Sequence, residues 1–189
     1  MYMYLTKAGE ALNEKQSKEL MKLCLQEASY FTLVVWPDHE EMWKYHNYDR
    51  EFEKSMQPYC VGDIRIPNGT WGCYYAGYKI KIFEITEKSA EELLKFHESI
   101  YLEWDVTIQR EMEDDDYDGE DDVPLNTLSD IAFLDKNKRI MVETEPHEGY
   151  VGIYEGNKTL IDFVQRNPEV WRRSTHDYDN GAENVIFEM

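Results

Sequence analysis

The chain has 189 residues, enough for one domain that buries about two-thirds of its unfolded surface without disulfide or metal staples. With 42% hydrophobic and 14% aromatic residues, among them five Trp and fourteen Tyr, it is not a disordered chain despite its 31% charged residues. Its 39 acidic against 20 basic side chains give a formal charge of −19, a field that repels nucleic acid and anionic membrane and favours encounter with cations or basic proteins.

The first residues, Met1 to Lys7, have neither the basic n-region nor the apolar h-region of a secretory signal, and no apolar run approaches the ~18 residues of a membrane span. Asn13 with Gln16 resembles a capping box, and Leu20, Met21, Cys24, Leu25 and Ala28 recur at three-and-four spacing, which predicts a helix over about 14 to 28. Tyr30 to Trp36 is short, β-branched and aromatic and is stopped by Pro37, the pattern of a buried strand. Asp38 can cap a second helix through Met42 and Trp43 towards Tyr48 or Met56.

From Cys60 to Thr86 the apolar period becomes two. Val61, Ile64 and Ile66 precede the turn signal Pro67-Asn68-Gly69; Trp71, Cys73 and Tyr75 follow, and then Tyr78, Ile80, Ile82 and Glu84 alternate with Lys79, Lys81, Phe83 and Ile85. Three antiparallel strands joined in series by tight turns are expected. Ser89 to Glu92 reads as a capping box for a short helix striped by Leu93, Phe96, His97 and Ile100.

Leu102, Trp104, Val106 and Ile108 alternate with polar residues as a half-exposed strand does. That strand feeds Glu111 to Asp122, in which nine of twelve positions are carboxylates and none is basic. Such a run cannot bury itself, because unpaired carboxylates removed from water cost several kcal/mol each or neutralise; an acidic loop over 111–124 follows. Subtracting its nine carboxylates still leaves about −10 on the remainder, so the acidity reads as general. Beyond it, 130–134 and 139–143 flank the turn Asp135 to Lys138 as a hairpin, Tyr150 to Tyr154 forms a further strand, and Asn157 caps a helix through Leu160, Ile161, Phe163 and Val164 that Asn167-Pro168 stops. The last twenty residues carry no clear period, although Asn184 to Phe187 suits a terminal strand.

Helices and hairpins thus come in alternating blocks and not as βαβ units. The expected fold is α+β, a mainly antiparallel sheet with three or four helices packed on it, in a single compact domain over 1–189; a hinge at the acidic stretch between lobes 1–110 and 125–189 is the alternative.

Asp114, Asp116 and Asp118 with Gly119 open like a calcium loop, since carboxylates at positions one, three and five converge on the ion and glycine at six permits the turn. The pattern fails at position twelve, where Leu125 replaces the bidentate glutamate. His39, His46, His97, His147 and His176 show no metal spacing, and no nucleophile elbow, phosphate loop or dinucleotide fingerprint is present. Cys24, Cys60 and Cys73 are odd in number and lack Cys-x-x-Cys spacing, which suits a reducing, cytoplasmic setting and no disulfide framework.

The reading that remains is a small acidic cytoplasmic interaction protein, without catalytic residues or a required cofactor, that binds and blocks a basic, nucleic-acid-handling protein as immunity proteins and anti-defence inhibitors do. Asp114, Asp115, Asp116, Asp118, Glu120, Asp121 and Asp122, with Trp43 and Tyr48, are its expected partner-binding residues, through charge pairing and cation–π contact. Neither nucleic acid nor membrane is an expected direct partner. The alternatives are an enzyme with a carboxylate-lined or metal-assisted site and a calcium-binding module through 114–122.

Overall fold

A computed structural model describes residues 3–7, 12–35, 54–65, 79–98, 100, 131–145, 150–174 and 186–188. They form one nine-stranded sheet in the order β8-β1-β7-β6-β5-β2-β4-β3-β9. The strands are β1 (Met3–Thr6), β2 (Tyr30–Val35), β3 (Cys60–Arg65), β4 (Lys79–Glu84), β5 (Ala132–Leu134), β6 (Ile140–Glu145), β7 (Tyr150–Tyr154), β8 (Trp171–Arg173) and β9 (Ile186–Glu188). Every neighbouring pair is antiparallel. With the α-helices α1 (Glu14–Glu27), α2 (Glu87–Phe96) and α3 (Lys158–Arg166) among the described residues, the chain is α+β with a mainly antiparallel sheet, as its alternating blocks require. Strands from both sides of the acidic stretch interleave in this sheet, because β2 pairs with both β4 and β5.

The helices pack on one face. Leu20, Met21 and Cys24 of α1, Leu93 of α2, and Leu160, Phe163 and Val164 of α3 share a buried cluster with Phe31, Phe83, Phe133, Val142 and Ile153, which succeed one another across the sheet. Phe31 stacks on Phe83 at 5.1 Å between ring centroids and tilts against Phe133 at 6.3 Å, so three strands are joined by aromatic contact as well as by their ladders. The opposite parity is also buried: Thr32, Ile80, Ile82, Ala132, Met3, Leu5 and Tyr154. β4 accordingly buries Ile80 and Ile82 on one parity and Phe83 on the other.

The α1 capping box is present as expected: Gln16 N–H donates to Asn13 Oδ1 at 3.0 Å and Asn13 N–H to Gln16 Oε1 at 3.0 Å. Asn157 caps α3 from one side only, its Oδ1 accepting from Leu160 N–H at 3.1 Å, and Asn167 ends it. The α2 cap is corrected. Thr86, not Ser89, is the N-cap, and Ser89 lies one turn inside, fully buried, where its hydroxyl accepts from Thr86 N–H at 2.7 Å and donates to Glu84 O at 2.7 Å. Serine can fill either role in a box, and only the end of β4 at Glu84 decides which one it takes here.

Two further differences are tertiary. The opening residues form β1, inserted between β7 and β8, although four residues carry too little pattern to declare a strand. β3 pairs directly with β4, Ile64 opposite Ile80, and has β9 as its other neighbour, so the first and last of the three expected serial strands adjoin. The terminal strand expected near Ile186 is β9 at the sheet edge. The second helix beyond Asp38, the turn at Asn68-Gly69 with its strand 71–75, and the strand 102–108 lie outside the described residues, except that 54–56 are helical and run into a 3-10 turn at Gln57–Tyr59.

Candidate functional site at one end of the sheet

The two ends of the sheet are built differently. At one end four connections are short and described: Ala28–Ser29 leads α1 into β2, Ile85–Thr86 leads β4 into α2, Asp135–Arg139 turns β5 into β6, and Glu155–Asn157 leads β7 into α3; β8 also ends there, at Arg173. At the other end the register aligns Val35, Lys79, Arg65 and Ile186 in one row across β2, β4, β3 and β9. Ile131 enters β5 at that same end, since Ala132 lies opposite Thr32, and Glu145 faces Tyr150 there. Segments 36–53, 66–78 and 146–149 therefore leave from this end, while 101–130 and 175–185 arrive at it.

Buried threonines fasten this end. Thr6 Oγ1 accepts from Val151 N–H at 3.1 Å, Thr144 Oγ1 donates to Ile131 O at 3.2 Å, and Thr32 Oγ1 accepts from Ala132 N–H at 3.3 Å. Their exposures of 4%, 5% and 1% mean that these hydroxyls satisfy backbone groups water cannot reach. The acidic segment 101–130 is held at both of its ends by the main core: Ile100 and Ile131 are fully buried members of one cluster, and Ile100 N–H donates to Ser17 O at 3.4 Å.

All the partner-binding residues expected from the sequence, Asp114, Asp115, Asp116, Asp118, Glu120, Asp121, Asp122, Trp43 and Tyr48, lie outside the described residues, as does the calcium-like triplet Asp114, Asp116 and Asp118. What the structure adds is their attachment. Segments 36–53 and 101–130, which carry them, both join the sheet at the end fastened by the threonines.

By sequence, segments 36–53 and 101–130 together contain 18 of the chain's 39 acids and three of its 20 cations.

Among the described residues no group of three His, Cys, Asp or Glu is placed to hold a metal ion. Cys24 is fully buried on α1, and desolvation pushes its thiol well above the ordinary value, the opposite of an activated nucleophile. On the face away from the helices, Tyr154 Oη donates to Glu143 Oε1 at 3.2 Å; a Cβ on Gly152 would fall 3.3 Å from Glu143 Cγ and 2.7 Å from Met3 Sδ, so glycine makes room for this pair. Sequence reasoning passed over Glu143, whose only sign was a carboxylate in an apolar strand.

At the end with short connections, a cleft of about 360 Å³ opens between the β5–β6 turn and the start of α3. Its carboxylates are engaged within the fold: Glu27 accepts from Asn157 Nδ2 and Thr159 Oγ1, Glu155 from Arg173 Nε, and Asp135 from the N–H groups of Asn137 and Arg139. No helix among the described residues is long and apolar enough to cross a membrane. No protein family, curated protein or solved structure matches the chain.

Proposed function

We propose that the protein is a small acidic binding module that engages a basic, nucleic-acid-handling protein and blocks the surface on which that partner holds nucleic acid, in a reducing, cytoplasmic setting. The observation that carries this reading is the charge of −19 with its run of nine carboxylates between Glu111 and Asp122, on a segment that enters the sheet at Ile131. A clustered single-signed charge steers encounter with a basic partner. Trp43 and Tyr48 on segment 36–53 belong to the residue types enriched at binding hot spots and can take a guanidinium or ammonium on their ring faces. Cys24 and Cys60 are free thiols, which suits the compartment proposed.

The test begins with capture of partners at low and at high salt, followed by on-rates for one isolated partner. Replacing Asp115, Asp116, Asp118, Asp121 and Asp122 with Asn removes five charges while keeping side-chain size. The on-rate is expected to fall about tenfold or more and its salt dependence to flatten, since the Debye length is already about 8 Å near 0.15 M, and the partner's nucleic acid should compete with the wild-type protein. An unchanged on-rate at low salt in the fivefold variant overturns the role of 111–124. Calorimetry with calcium separates the module reading from a metal-loaded loop: micromolar calcium uptake lost in the same variant would favour the latter.

A further inference from the structure

We draw no further inference here: the strongest candidate, the cleft between the β5–β6 turn and the start of α3, is lined by Lys136 and Arg139 together with the internally engaged Glu27, Asp135 and Glu155, and nothing in the structure shows which ligand chemistry so mixed a lining would select.

Discussion

Single buried side chains at the fastened end make distinct contributions that substitution can separate. Thr6→Val removes the acceptor that Val151 N–H uses, leaving a buried donor without a partner, and is expected to cost about 1 to 3 kcal/mol. Thr144→Val deletes a donor to Ile131 O, but that oxygen keeps Thr144 N–H at 3.0 Å, so about 1 kcal/mol or less is expected. Urea midpoints of the two variants check the order, and equal losses would mean that threonine packing, not backbone satisfaction, sets the cost. Gly152→Ala places a Cβ 2.7 Å from a Met3 sulfur that is itself 1% exposed and cannot swing into water; a loss of about 1 to 3 kcal/mol is expected by the same measurement. For Cys24 the desolvated thiol stays protonated in the fold while the unfolded chain ionises. Its contribution to stability is therefore complete below the ordinary thiol range and declines as pH rises above about 9, because the unfolded state then binds fewer protons than the native one. Alkylation mapped by mass spectrometry should label Cys60, which is half-buried, well before Cys24; equal rates would show that α1 opens readily.

The helices and the hairpin follow local rules wherever the deciding partner is near in sequence. Asn13 with Gln16, and Asn157 with Leu160, are complete within four residues, and both caps were readable for that reason. The α2 cap was misplaced because Ser89 is decided by Glu84 O, on a strand whose end the sequence does not mark. In the β5–β6 turn, Asp135 Oδ1 accepts from Asn137 N–H at 2.7 Å and Arg139 N–H at 2.9 Å, while Lys138 takes a left-handed φ of 62°. Asp135→Ala is expected to lose about 1 to 2 kcal/mol by unfastening a turn that holds a non-glycine residue in that region, and denaturant titration reads it. Surface pairs contribute little beside this. Glu14, held below the usual carboxylate range by its hydrogen bond to Lys18, is exposed and screened. Links between α1 and α3, such as Arg166 to Glu19 at 2.7 Å, orient the helices over the sheet more than they stabilise it.

At the scale of the molecule, folding and recognition are expected to be separable. Deleting 114–121 is expected to leave the melting temperature unchanged or to raise it, because a run of carboxylates cannot bury itself and like-charge repulsion falls. A calorimetric scan checks this, and a loss beyond about 2 kcal/mol would show that the segment makes structural contacts or holds an ion. Paired with the on-rate measurement, the deletion separates folding from recognition: a variant that melts like the parent and binds slowly has lost steering alone.

The sequence by itself determined the α+β class, the positions of α1 and α3, the strands β2, β4, β6 and β7, and the excess of carboxylates. Each rests on a period or a cap contained within a few residues, or on composition. Tertiary structure alone decided that Met3 to Thr6 enters the sheet between β7 and β8, that β3 lies against β4 and β9, and that Ser89 serves inside α2 and not at its cap. The strand pairings among these join residues 14 to 169 positions apart, and strand propensity is too dependent on neighbours to name them.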